Sequence, residues 1–171
     1  MNKALFHFFT NDHREIESLL DSADSASDAI KMQPYNEFRT RLLTHIKMEE
    51  KVLFPAAQEA NGGVALALQA KLRLDHGAIT ALMVPPPTKE LIRVIRFVLE
   101  AHDRLEEDAG GMYEICENLT EAKTEELLNN LRQTPPVPVV KFNPAPFALE
   151  SAKRSLKRAG FDYDIIVKGV I

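Results

Sequence analysis

Four histidines, spaced so that each falls on a different amphipathic stretch, constrain this chain more than any other feature. His45-Ile-Lys-Met-Glu49 and His102-Asp-Arg-Leu-Glu106 each set an imidazole and a carboxylate four residues apart. On a helix that spacing puts both side chains on one face, one turn apart. His13 and His76 lie on the apolar stripes of two further stretches. A fold that accepts this pattern must bring polar groups from several helices into one interior layer.

The periodicity predicts the helices. Residues 2–23 carry Phe6, Phe9, His13, Ile16 and Leu20 at three-four spacing. After a Ser/Asp-rich loop over 21–28, a second helix opens near Asn36 with the stripe Phe38, Leu42, His45, Glu49, Val52 and Ala56, and Pro55 ends or bends it. Asn61-Gly62-Gly63 is the turn, and a third helix runs from about Val64 with Ala65, Gln69, Leu72, His76, Ile79 and Met83. Pro85-Pro86-Pro87 stops it. Thr88 caps a fourth helix bearing Leu91, Ile95, Val98, His102, Glu106, Ala109, Tyr113 and Cys116, with a kink or break at Gly110-Gly111. A shorter helix follows over 120–132. The expectation is an all-α, antiparallel up-down-up-down four-helix bundle over residues 1–134.

In such a bundle helix midpoints share a level, so His13, His45, His76 and His102 converge, with Glu49 and Glu106 one turn away. Two hairpins of similar plan are evident: Asp12-His13 and then His45-x-x-x-Glu49-Glu50, Asp75-His76 and then His102-x-x-x-Glu106-Glu107. Four imidazoles and two carboxylates buried without partners would cost roughly several kcal/mol. Metal ions would satisfy all six at once. Imidazole suits iron, zinc, manganese, copper and nickel alike, and carboxylates bridging two centres in a bundle favour iron or manganese. A structural zinc site favours cysteine-rich sets, and Cys116 is the single cysteine.

Neighbouring residues are read conservatively. His7 lies off the stripe. Glu50 and Glu107 sit on the flanks as solvated groups, or at best as partners of the ligands. Asp12 and Asp75 are read as surface or ion-pairing residues. Tyr113 is read as core packing and Cys116 as a small buried residue.

The net charge of −4 and the lack of a basic run speak against nucleic acid. No stretch is long and apolar enough to span a membrane, the lone cysteine suits a reducing compartment, and a cytoplasmic location is expected. From Pro135 the composition changes. Residues 135–171 read as a Pro-rich linker and a strand-helix-strand extension, a small β-α-β-like appendage with strands near 137–142 and 161–171. Because a lone strand needs a neighbour, a homodimer through this extension is expected.

The combination Asp-His13, His45-x-x-x-Glu49, Asp-His76 and His102-x-x-x-Glu106, with Phe54-Pro55 after the second helix, resembles the hemerythrin-like family of HHE cation-binding domains over about residues 2–120. The resemblance implies a non-haem centre of two iron ions (manganese or zinc are alternatives). His13 and His45 would ligate one ion and His76 and His102 the other, with Glu49, Glu106 and an oxo or hydroxo group as bridges. The chain departs from the oxygen-carrying members: Leu72 and Thr80 flank His76 at the positions where a further histidine would stand, and Glu106 follows His102 at a shorter spacing. That difference resembles members linked to iron handling, nitric oxide defence or repair of iron centres. The function implied is binding of, or reaction with, a small oxidant: dioxygen, peroxide or nitric oxide. The alternative is an iron-sensing or iron-delivery module that acts through a protein partner without turnover.

Overall fold

Helix-forming periodicity carries through the whole chain. The computed structural model describes residues 3–25 and 29–169. Residue 2 of the expected first helix, 26–28 of the expected loop and 170–171 of the expected last strand lie outside the described residues. The regular elements among the described residues are all helical: α1 (Ala4–Asp24), α2 (Met32–Met48), a π-helical turn (Glu49–Leu53), α3 (Phe54–Ala60), α4 (Gln69–Leu82), α5 (Lys89–Glu107), α6 (Met112–Leu119), a 3-10 turn (Glu121–Lys123), α7 (Thr124–Arg132), α8 (Pro146–Arg158) and α9 (Tyr163–Lys168).

Several helix ends follow from local chemistry. Thr88 caps α5, its Oγ1 accepting from the Leu91 amide at 3.0 Å. Pro34 stands in the first turn of α2, where a missing N–H costs nothing, so that helix starts at Met32 rather than near Asn36. The third helix starts at Gln69 and not near Val64; Ala65, expected on its stripe, is exposed in the preceding loop.

Pro55 neither ends the second helix nor simply bends it. Proline has no N–H to give and crowds the carbonyl four residues back. The backbone absorbs this in the π-helical turn at Glu49–Leu53 and continues as α3. A π-turn inserts one extra residue into the helix. The buried stripe therefore slips by one after Glu49: Leu53 and Ala57 are buried where a regular helix would bury Val52 and Ala56.

The four histidine-bearing helices contact one another in pairs. Phe9 of α1 packs edge-on against His45 of α2, with ring centroids 5.5 Å apart. His76 of α4 and His102 of α5 lie 4.9 Å apart. At the start of α5 Lys89 donates to Asp24, the last residue of α1, at 2.6 Å, and at the end of α5 Glu107 accepts from Arg14, at the middle of α1, at 2.6 Å. The buried apolar residues form two clusters. One holds Ile16, Leu42, Ile79 and Leu99, and the other Phe9, Met48, Leu72 and Tyr113, with Leu105 packed against it. Each of the four histidines falls in sequence between a member of one cluster and a member of the other, so the polar layer lies at the seam.

The expected strand-helix-strand pattern after Pro135 is corrected. Residues 163–168 form one helical turn and a half, because Asp162 caps it by accepting from the amides of Asp164 and Ile165 and Gly169 closes it at φ +65°. The Ile- and Val-rich run read as a strand lies on this short helix, which buries Tyr163 and Ile166. Residues 137–142 are extended but bonded to helices rather than to a strand. The Val137 amide donates to Thr44 Oγ1 and Arg39 donates to the Val140 carbonyl, both at 2.9 Å. The Arg39 guanidinium also lies 4.1 Å from the Phe142 ring centroid. The strand pairing from which a homodimer was expected thus has no strand to rest on among the described residues.

Instead α8 packs on α4 and α9 on α5, adding Ala152, Leu156, Ala159, Tyr163 and Ile166 to the first core cluster. Leu156 is fully buried. Leu156→Ala should therefore cost about 2–5 kcal/mol, the range for a core leucine, measured by urea unfolding. A loss below about 1 kcal/mol would show that α8 contributes little to the core.

Candidate metal centre

Two carboxylates, Glu49 and Glu106, lie at the middle of the seam, each 0% exposed. His13, His45, His76 and His102 surround them, all buried. Two groups of ligating atoms result, each with its atoms within 4.8 Å of one another: His13, His45, Glu49 and Glu106, and Glu49, His76, His102 and Glu106. Both groups share both glutamates. The fold thus gathers all six residues singled out from the sequence.

Glu49 divides its oxygens between the two groups. Oε1 is 3.3 Å from His45 Nε2 and Oε2 is 3.1 Å from His76 Nε2. Glu106 Oε2 lies 3.5 Å from His13 Nε2 and 3.3 Å from His102 Nε2. The π-helical turn begins at Glu49, so the backbone irregularity forced by Pro55 sits at the centre itself.

All four histidines turn Nε2 inward, and their Nδ1 atoms face an outer ring of carboxylates. His45 Nδ1 donates to Asp12 at 2.7 Å, His13 Nδ1 to Glu107 at 2.6 Å and His76 Nδ1 to Glu50 at 2.9 Å. His102 Nδ1 faces Asp75 at 3.6 Å, too far for a hydrogen bond. Each outer carboxylate is itself held by a cation: Asp12 by Arg41, Glu107 by Arg14, Glu50 by Arg73 and Asp75 by Lys71. A proton fixed on Nδ1 leaves the Nε2 lone pair free to bind a metal.

These partners correct the conservative reading. Asp12 is buried between α1 and α2, and Asp75 is fully buried, although its ion pair with Lys71 is as expected. Glu50 and Glu107 are not merely solvated. The signal was present: an Asp directly precedes the first histidine of each hairpin, and the second glutamate is doubled in each. Tyr113 does more than pack: its hydroxyl donates to Glu49 Oε1 at 2.6 Å. Its helix starts anew after Gly110, at φ +77°, and Gly111, where a Cβ would come within 2.7 Å of two carbonyl oxygens. His7 is exposed, and Cys116 is buried with its thiol pushed up by burial and then by Glu49 and Glu106.

Charge at the centre is unbalanced toward the negative. Burial alone would push His45 down, but Glu49 and Asp12 outweigh it and lift it to about 10. The same contest raises His102, facing Glu106 and Asp75, and His76, facing Glu49 and Glu50. Desolvation works to raise Glu49, yet His45 and His76 hold it well below the usual carboxylate range. Glu49 Oε2, His76 Nε2 and Glu106 Oε1 are buried and make no well-aligned hydrogen bond. Buried atoms of this kind are costly unless a cation meets them. The donor set fits a pair of divalent or trivalent ions.

Residues 4–84 match the hemerythrin HHE cation binding domain. The matched span includes His13, His45, Glu49 and His76. The fold adds His102 and Glu106 from α5, beyond the matched span. No curated protein and no solved structure shows significant similarity to the chain. The family match and the buried His/Glu groups together point to metal binding.

Two variants separate the inner carboxylates from the outer ones. Glu49→Ala should abolish stable metal retention, since it removes a donor from both groups. Glu50→Ala removes only the partner of His76 Nδ1 and should weaken retention about 10- to 100-fold. Competition against a chelator reads both, and equal retention in the two would show that the inner and outer roles are wrongly divided.

Proposed function

We propose that this hemerythrin-type domain holds two iron ions and binds or reacts with a small oxidant: dioxygen, peroxide or nitric oxide. The observation that carries this reading is the pair of buried donor groups that share Glu49 and Glu106. Two metal positions with two common carboxylates make a dinuclear centre, and imidazole with carboxylate in a helical bundle suits iron. Iron bound there would supply one-electron redox chemistry together with coordination positions that the protein leaves free.

The reading takes α1, α2, α4 and α5 as an up-down-up-down bundle. The ion pairs at opposite ends of α5 support an antiparallel α1 and α5: Lys89 meets Asp24 at the end of α1, and Glu107 meets Arg14 ten residues earlier. His13 and His45 belong to one ion and His76 and His102 to the other. The outer carboxylates hold the Nδ1 protons of His13, His45 and His76 and leave their Nε2 atoms pointing inward.

The size of the adjoining space favours a very small ligand. A cavity of about 10 Å³ lies beside His13, His45 and His102, lined also by the apolar Ile16, Leu42, Ile79 and Leu99 and by the carboxylates of Glu17 and Asp103. That is room for roughly one water-sized molecule. A space this small suits a small neutral molecule, and the carboxylates of Glu17 and Asp103 disfavour a larger anion. Among the described residues no helix is long and apolar enough to cross a membrane.

Aerobically purified protein should contain two iron ions per chain. The reduced protein should change its absorption spectrum on exposure to at least one of dioxygen, peroxide and nitric oxide. Iron-loaded protein that responds to none of the three would overturn the oxidant reading. Removing the metal should also lower the unfolding temperature, because an ion that binds only the folded state adds stability by mass action. Thermal scans with and without chelator check this, and identical midpoints would contradict it.

A further inference from the structure

The Tyr113 hydroxyl lies inside the first donor group, not beside it. Its oxygen is 2.6 Å from Glu49 Oε1, 3.0 Å from Glu106 Oε2, 3.0 Å from His13 Nε2 and 3.2 Å from His45 Nε2. His13 Nε2 and His45 Nε2 are 2.9 Å apart. Protein nitrogen and oxygen donors sit about 2.1 Å from a metal, which places neighbouring donors of a six-coordinate ion about 3 Å from one another. Tyr113 keeps that spacing to three of the four other donors and lies closer, at 2.6 Å, to Glu49 Oε1. A phenol that served only as a hydrogen-bond donor would have one proton for two carboxylates, Glu49 and Glu106.

Among the described residues the second donor group has no such neighbour. There Phe54 stacks flat on His76, with centroids 6.2 Å apart and planes 8° apart. Tyr113 itself is held by Phe9, stacked at 5.0 Å, and by the start of α6 after the Gly110-Gly111 break. The placement is therefore built into the fold.

We propose that Tyr113 is a ligand, as the phenolate, of the ion held by His13 and His45, so that the two metal positions are unequal. The proposal rests on the dinuclear reading above. On coordination the O–H proton leaves to water, the oxygen lone pair forms the bond to the metal, and no electron changes hands. A hard phenolate oxygen suits ferric iron. The His13/His45 position then has five protein donors and the His76/His102 position four, which leaves more of the second ion open.

The test loads the full-length chain with ferric iron and records visible absorption and resonance Raman spectra. A phenolate-to-iron charge-transfer band with enhanced tyrosine ring modes is expected. It should vanish in Tyr113→Phe and persist in Tyr35→Phe and Tyr163→Phe, which exhausts the three tyrosines of the chain. Tyr113→Phe should still take up two irons, with affinity lowered about tenfold or more. A merely positioning Tyr113 would also weaken affinity but would give no phenolate modes. Should Tyr113→Phe misfold, ring-deuterated tyrosine in the wild-type chain must shift the modes, and their survival in the other two variants assigns them. Two irons bound without phenolate modes, or modes that survive Tyr113→Phe, overturn the proposal while leaving the dinuclear reading intact. A wild-type chain that takes up no iron overturns both.

Discussion

Two carboxylates buried at one point are the constraint that the rest of this structure answers. Glu49 and Glu106 have no exposed surface and face the same space. Two like charges in a medium of low dielectric repel strongly, and each loses its hydration. Neutral imidazoles alone cannot offset this. Cations must, either as protons on the histidines or as metal ions between the donors. Metal and protons therefore compete for the same Nε2 positions, and metal affinity falls as the pH is lowered.

The outer ring is the second layer of the same answer. Each histidine stands between an inner carboxylate and an outer one, and each outer carboxylate meets a Lys or Arg toward the surface. Asp12 and Asp75 serve the histidine of their own hairpin partner, His45 and His102. Glu50 and Glu107 cross to the other hairpin and face His76 and His13. The exchange is the same in both directions, as the repeated Asp-His and His-x-x-x-Glu-Glu patterns imply. These ties cross between α1, α2, α4 and α5, so alignment of the helices and preparation of the metal donors are one event.

What the chain spells out plainly is what depends on helical period. The four histidines and two glutamates sit on stripes, and stripes converge. What it conceals depends on breaks in the period. Pro55 moves the buried stripe by one residue through a π-turn, which no fixed spacing shows. Asp12 and Asp75 lie one position off the stripe, but an off-stripe side chain at a helix–helix seam still reaches inward. Tyr113 looks like packing so long as α5 and α6 are drawn as one helix; the Gly110-Gly111 break re-aims it. The tail failed for a different reason. A short apolar run such as Ile165-Ile166-Val167 is compatible with either a strand or a short helix. Asp162 before them and Gly169 after them are a cap and a stop, and those decide.

The polar seam also bears on why the bundle has one register. Apolar layers alone tolerate slippage, because one leucine layer resembles the next. Slipping any one helix by a turn here would set a histidine against the Ile16–Leu42–Ile79 side or the Phe9–Leu72 side. It would strip that imidazole of both its carboxylates and leave an outer carboxylate facing apolar surface. Each such loss costs about 1–3 kcal/mol for a neutral group and more for a charged one, against a total stability of about 5–15 kcal/mol. Two slipped partners would consume most of it. The interior charge that makes this centre costly to bury is thereby what specifies the packing, with the apolar clusters on either side supplying the stability that the seam does not.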